Sequence, residues 1–326
     1  MNENIKTVIL KKIKEYDTII LCRHIRPDGD AVGSALAMKK VIEASFPCKR
    51  VFIDRKDESD QVAFLGSEGA LPEEADLNGA LVIVLDTGVP KRVSSDNFLK
   101  GKELVVIDHH IKEGEFGDFS WVEDHRNSVC EMITEFFFDF KDELVITKEA
   151  AESLYTGIVT DSGRFRFRGT SPKTLNLAAK LLELGVDYER IYAYIDVKDY
   201  VDVINDSRLV SHLKMTDSGV AYIIITNQIM SDYNLSQATA YNSTQIIENI
   251  KGSLIWLVLI ENPDGTFRAR IRSRFVEIEP IARNYSGGGH ACAAGATIRS
   301  ADEMERFIRD LDVCHSEFKK NNPQYF

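Results

Sequence analysis

The sequence predicts an α/β protein of two lobes around a central cleft, a doubly wound parallel-sheet domain followed by a smaller mixed-sheet α/β domain. Three observations carry this. Short, wholly apolar runs alternate with helical patterns from residue 17 to about 190. A second alternation after 218 holds a hairpin signal, Asn262-Pro263-Asp264-Gly265. At 326 residues and 44% apolar content, the chain is long enough for two separate cores.

Taken in order, residues 1–16 carry Lys6, Lys11, Lys12 and Lys14 among apolar residues at helical spacing, which predicts an amphipathic first helix. The run is too interrupted by charge to serve as the apolar centre of a signal peptide. A strand near 17–23, a helix over 29–45 and strands at 50–54, 81–86 and 104–108 follow, then helices near 127–140, 147–160 and 172–184. Thr147 and Ser171-Pro172 signal helix starts, and Gly185 a helix stop.

From 187 to 217 the pattern stays helical, with Ile191, Ile195, Val203, Ile204, Leu209, Val210 and Leu213 at apolar positions, and is read as linker helices. The second alternation predicts strand 220–226, helix 237–250, strands 254–260 and 267–274, helix 278–285, a glycine-rich loop and a last helix over 301–312. The expected organisation is a first domain over 1–187, a helical linker over 188–217, a second domain over 218–316 and a frayed tail over 317–326.

Bulk properties exclude some classes. A net charge of −11 argues against a surface that coats long duplex nucleic acid, which needs excess Lys and Arg to displace counterions, yet leaves room for a short nucleotide in a pocket. The five cysteines, Cys22, Cys48, Cys130, Cys292 and Cys314, are odd in number and scattered, so neither a disulfide framework nor a zinc knuckle is indicated. No apolar run approaches the ~20 residues needed to cross a bilayer. The reading is a soluble cytoplasmic protein with no membrane partner; a homodimer is left open.

Chemistry gathers at the ends of the apolar runs. Val105-Val106-Ile107-Asp108-His109-His110 passes from β-branched residues straight into an acid and two histidines. Thr18 to Cys22 leads to His24, Asp28 and Asp30, Leu81 to Leu85 ends in Asp86-Thr87-Gly88, and a helix-like stretch from Leu154 ends in Thr160-Asp161-Ser162-Gly163. Parallel strands end on one edge, so residues far apart in sequence can meet there. His24, Asp28, Asp30, Asp86, His109 and Asp161 offer two imidazoles and four carboxylates with no sulfur, a donor set suited to two divalent ions such as Mn²⁺. Asp28 and Asp30, alternating on an extended loop, could each serve a different ion, with Asp86 bridging both. A pair of metals points to hydrolysis of a phosphoester or phosphoanhydride. Taken singly, Asp28 or Asp30 better suits a helix N-cap, and a lone His-His pair better suits a surface; the whole set of motifs reverses that reading.

With these residues in view, the chain resembles the DHH phosphoesterase family. His24-Ile25-Arg26-Pro27-Asp28-Gly29-Asp30, Asp86-Thr87-Gly88, Asp108-His109-His110 and Thr160-Asp161-Ser162-Gly163 match its motifs. Arg272-Ser273-Arg274 and Ser286-Gly287-Gly288-Gly289-His290 resemble the associated DHHA1 domain, with Ser286 where that family usually has a further glycine. The resemblance implies one metal on His24, Asp28 and Asp86 and another on Asp30, Asp86, His109 and Asp161. It also implies catalytic roles for Asp86, Asp108 and His110, Asp108 orienting a neighbouring ligand and His110 contacting the phosphate or assisting the leaving group.

Within the family a chain of this size resembles the nanoRNase type, which implies hydrolysis of short oligoribonucleotides and dinucleotides to mononucleotides and of 3′-phosphoadenosine 5′-phosphate to AMP. Arg272, Gly287, Gly288, Gly289 and His290 form the expected substrate grip, an arginine fork beside exposed backbone amides, with His110 on the phosphate. A pyrophosphatase or exopolyphosphatase on the same scaffold, or a non-catalytic nucleotide-binding protein, are the rival readings. Arg164-Phe165-Arg166-Phe167-Arg168 alternates cation and aromatic, which suits either a nucleotide-stacking surface or an edge strand.

Overall fold

The computed structural model describes residues 4–111, 114, 116–167 and 169–325, apart from the side chain of Ala238. The chain divides into two compact units, residues 1–197 and 198–326.

The first unit runs α1 (Ile5–Glu15), β1 (Thr18–Cys22), α2 (Gly29–Ser45), β2 (Arg50–Asp54), α3 (Glu74–Leu77), β3 (Leu81–Leu85), β4 (Glu103–Asp108) and β5 (Phe119–Val122). It continues with α4 (Val129–Asp139), α5 (Lys148–Asp161), α6 (Pro172–Glu183) and α7 (Tyr188–Ile195). Its five strands lie in the order β2-β1-β3-β4-β5, every pair parallel. All five residues of β1 and of β3 are buried. That is why these segments read as unbroken apolar runs: helices including α1, α2 and α4 pack on one face, and α3 with the loop residues Val93 and Phe98 covers the other, so neither face has to be polar. The order of strands reverses about β1, and the carboxyl ends of β1 and β3 flank the switch point where such sheets open a crevice.

Helices α2 and α5 pack closely because a glycine permits it. A Cβ at Gly33 would stand 2.4 Å from the Ser153 carbonyl oxygen. Any larger residue would have to push the two helices apart, and with them the acids they carry at the crevice.

The second unit runs α8 (Tyr200–Val210), β6 (Lys214–Met215), β7 (Ala221–Ile225), α9 (Asn227–Asp232), α10 (Gln237–Asn242), β8 (Ile255–Glu261), β9 (Phe267–Ser273), α11 (Glu279–Asn284), β10 (Gly288–His290), β11 (Ala293–Ile298) and α12 (Ala301–Asn321). Its sheet has the order β10-β11-β9-β8-β7-β6, with β7 and β8 parallel and the remaining pairs antiparallel.

Several expectations are corrected. No separate linker exists: Ile191 of α7 is buried in the core of the first unit and Leu209 of α8 in that of the second. The helix expected over 237–250 is α10 followed by a 3₁₀ turn at Ser243–Ile247. The glycine-rich segment contains β10, and a strand, β11, follows it. The last helix does not stop near 312 or leave a frayed tail. Met304, Phe307, Leu311, His315 and Phe318 continue one inward stripe, and Tyr325 stacks on Phe275 with ring centroids 4.2 Å apart. Residues 162–167 form turns rather than an edge strand, and Arg168 lies outside the described residues. The five cysteines are free, and among the described residues no helix is long and apolar enough to cross a membrane.

Candidate metal centre

Three strand ends and two helix ends supply the cluster. After β1, His24 turns its Nε2 to 3.3 Å from Asp86 Oδ2 and 3.8 Å from Asp28 Oδ1, while its Nδ1 meets the Ile25 carbonyl at 2.8 Å. That backbone bond fixes the tautomer and leaves Nε2 as the donor atom facing the acids. Asp28 is indeed the N-cap of α2, accepting from the amides of Asp30 and Ala31 through Oδ1, and it joins His24 and Asp86 in the same cluster. The N-cap reading of Asp28 therefore holds, and the same carboxylate also lies in the cluster. Asp30 sits in the first helical turn, not on an extended loop, and faces a different group, with His109 and Asp161.

Asp30 is wholly buried and pinned. Its Oδ2 accepts from Val129 N at 2.6 Å and its Oδ1 from Cys130 N at 2.7 Å, the first amides of α4, whose dipole favours an anion there. Asp86 follows β3 with a left-handed backbone, φ 61°, a conformation Asp tolerates better than most residues. The chain also turns immediately after β4. Asp108 Oδ1 accepts from the amides of His109 and His110 and meets His110 Nδ1 at 2.8 Å, so both histidines reach the site, their rings 4.6 Å apart. His109 Nδ1 lies 3.2 Å from the Arg126 carbonyl, and its Nε2 lies 3.4 Å from both Asp86 Oδ1 and Asp161 Oδ2.

The residues fit a pair of cations. Buried Asp86 Oδ1 and His109 Nε2 have no hydrogen-bond partner among the described residues, and an orphaned buried acceptor is costly unless something fills the gap. The ligand atoms of His24, Asp28 and Asp86 fall within 4.8 Å of one another, as do those of Asp30, His109 and Asp161 and those of Asp86, His109 and His110. Charges crowd as well. Burial, then the charges of Asp30, Asp28 and Asp86, pushes Asp161 well above the ordinary carboxylate range, and burial with the Asp86 charge raises Asp30 to about 7. Burial lowers His24 and His109, but Asp86 with Asp28 on the first and Asp86 with Asp30 on the second outweigh it, raising them to about 10 and about 11.

In the second unit, β9 carries Arg268, Arg270 and Arg272 on one face, and no carboxylate pairs with any of them among the described residues. Arg272 Nη1 donates to the Ile271 carbonyl, and burial, then the neighbouring Arg270, lowers its pKa to about 10. His290 pairs with Ala293, which pairs with Arg272, so His290 and Arg272 share a face across one small residue. Gly287 cannot be replaced without collision: its Cβ would stand 2.0 Å from the Gly295 carbonyl oxygen. Ser286 adopts φ 54°, the left-handed backbone that explains the usual glycine, and its Oγ accepts from Arg299 at 2.9 Å.

Comparison with known proteins agrees. The profile described as DHH family, N-terminal domain, matches residues 18–158, and that of the DHHA1 domain residues 194–317. The Bacillus subtilis bifunctional oligoribonuclease and PAP phosphatase NrnA is 34% identical over 313 residues, 96% of this chain and 99% of that protein. The chain belongs to the DHH family of phosphoesterases. A Thermus thermophilus relative of the same name is 28% identical to this DHH chain, covering 93% of it and 90% of the relative. An exopolyphosphatase-related protein from Bacteroides fragilis shares the fold, with a TM-score of 0.83 at 22% identity over 97% of this chain and 96% of that one. DHH phosphoesterases depend on divalent metals, and the acid and histidine clusters described above can hold them.

Sequence reasoning missed the supports of this DHH centre: the Val129 and Cys130 amides, the Arg126 carbonyl and the buried Arg23. The last forms a bidentate pair with Glu68, both bonds 2.8 Å, beside His24. One signal was present, the Ser128-x-x-Glu131 spacing of a helix start; Ser128 Oγ accepts from Glu131 N.

A pH effect follows. In the metal-free protein His24 and His109 hold protons to about pH 10 and 11, against ~6.5 for an unfolded imidazole. The stability they contribute is fully present below pH ~6.5 and is lost as pH rises through those folded values. Incoming ions must displace the protons. Apparent metal affinity should rise from pH 7 to 9, with proton release read as a buffer-dependent heat of binding; heats identical in buffers of different ionisation enthalpy would contradict it.

Proposed function

We propose that this chain hydrolyses short oligoribonucleotides and dinucleotides to mononucleotides, and 3′-phosphoadenosine 5′-phosphate to AMP, using two divalent ions. The observation that carries the reading is the pair of orphaned buried atoms, Asp86 Oδ1 and His109 Nε2, at the centre of converging acids and imidazoles. The names of the relatives supply the substrate class. His24, Asp28 and Asp86 would hold one ion and Asp30, Asp86, His109 and Asp161 the other; a sulfur-free set of imidazoles and carboxylates favours Mn²⁺. When bound, the ions supply a lowered pKa for coordinated water and neutralise charge on the phosphoryl oxygens.

The chain's own groups do the rest. Asp108, fully buried, fixes the backbone turn and orients the His110 ring through Nδ1; His110 would contact the phosphate and deliver a proton to the leaving oxygen. Arg272, with His290 on the same face and the Gly287-Gly288-Gly289 amides, grips a terminal phosphate. Arg272→Ala is accordingly expected to raise KM for substrates with a terminal phosphate by about 10- to 100-fold, the range of a lost charged hydrogen bond, with kcat changed less. An equal fall in kcat with KM constant would remove Arg272 from this role.

The deciding experiment is an assay with Mn²⁺ comparing dinucleotides, short and long RNA, 3′-phosphoadenosine 5′-phosphate and pyrophosphate. Preference for dinucleotides and the bisphosphate is expected. Hydrolysis of pyrophosphate alone, or of long polymers as fast as dinucleotides, would overturn the proposal.

A further inference from the structure

The segment that follows Asp161 is built to display one side chain. Gly163, Arg164 and Phe165 are consecutive left-handed residues, with φ 54°, 62° and 61°, and two of them carry side chains that disfavour this backbone. The knot is held to the end of α5 by hydrogen bonds. Arg164 N donates to the Val159 carbonyl, Phe165 N to Ser162 Oγ, and Arg166 N and Phe167 N both donate to the Ser162 carbonyl at 2.9 Å. Most of the side chains of the knot have evident employment. Phe165 packs edge-on to Tyr155, Arg164 pairs with Asp196, and Arg166 Nε donates to the Gly163 carbonyl.

Among the described residues the Phe167 side chain has no hydrogen-bond, ion-pair or ring partner, and the residue is 56% exposed. One face of its ring lies against Gly163, where an added Cβ would stand 2.5 Å from the ring carbons. Glycine at 163 therefore seats the ring as well as permitting the turn. Gly163 is two residues beyond Asp161, so their Cα atoms are at most about 7.6 Å apart. A supported aromatic ring is thus seated on the residue two places after Asp161 of the candidate metal centre.

We propose that Phe167 is a stacking platform for the nucleobase of the nucleotide whose phosphate lies at the metal centre. This rests on the phosphoesterase reading above and names what lies beside the phosphate. A phosphate held at the metal centre leaves its sugar and base to extend away from it, and a flat, partly desolvated ring accepts any base, because every base has a π-face. The platform predicts grip on the base with little choice among bases.

The test is binding to the full chain loaded with Mn²⁺, by calorimetry, with AMP and with ribose 5-phosphate as probes. Phe167→Ala is expected to weaken AMP by about 5- to 100-fold, as lost base stacking does, and to leave ribose 5-phosphate unchanged. Phe167→Trp should restore AMP binding, whereas Phe167→Leu, of similar bulk but without a π-face, should not. AMP affinity indifferent to the alanine change, or equal weakening of both probes, would overturn the platform. A wild-type chain that hydrolyses no dinucleotide would instead remove the function on which it rests, since AMP binding is read apart from turnover.

Discussion

Asp86→Ala is expected to lower turnover by at least about 10³-fold, beyond the 10- to 100-fold typical of losing a group that merely orients a ligand. Asp86 is buried against His24 on one oxygen and His109 on the other, so its removal takes a contact from both ligand groups at once. Two readings separate this from misfolding. The variant should keep a cooperative thermal transition, shifted or not, and equilibrium titration with Mn²⁺ should show weakened uptake at both sites. Near-normal activity, or loss of a single ion with the other unaffected, would defeat the bridging assignment.

The second large effect is on stability. Arg126 is buried with its Nε 3.3 Å from Glu123, its Nη1 3.1 Å from Glu131, and its Nη2 paired with Glu135. Glu135 is held far below its ordinary range, to about 2: burial opposes the shift, and Lys173, Lys6 and Arg126 prevail. Arg126→Met would leave three carboxylates around an uncharged side chain, and breaking a buried pair in this way costs about 3–5 kcal/mol. For a unit of this size that lowers the melting temperature by about 6–20 °C. The Arg126 carbonyl also holds His109 Nδ1, so Mn²⁺ affinity should fall with stability. A melting temperature within two degrees or so of the parent, with unaltered metal affinity, would show that the acids find other partners.

Much of the fold could be read from residues alone because β1, β3 and β4 are buried on both faces and each ends abruptly in acid or histidine. The strands that escaped notice have the opposite character. Phe119–Val122 is a four-residue edge strand with mixed burial, and Ala293–Ile298 is rich in alanine and glycine, residues with weak strand preference. The small side chains of β11 make room instead for the arginine face of β9. At the candidate centre itself the residues that come together were legible because imidazole and carboxylate are distinctive residue types. Their supports were not, since Val129 N, Cys130 N and the Arg126 carbonyl are main-chain atoms that any residue could supply. The left-handed knot after Asp161 escaped for a related reason: its alternation of cation and aromatic mimics the two-residue period of a strand.

The clamp on Asp30 bears on which ions can be admitted. With each oxygen already tied to an amide of α4, the carboxylate has no freedom to swing into a chelating pose around one ion. Calcium, which gathers six to eight oxygens and often takes a carboxylate by both atoms, would find that half of the centre too stiff and too short of oxygen, whereas a smaller ion content with one oxygen and an imidazole would not.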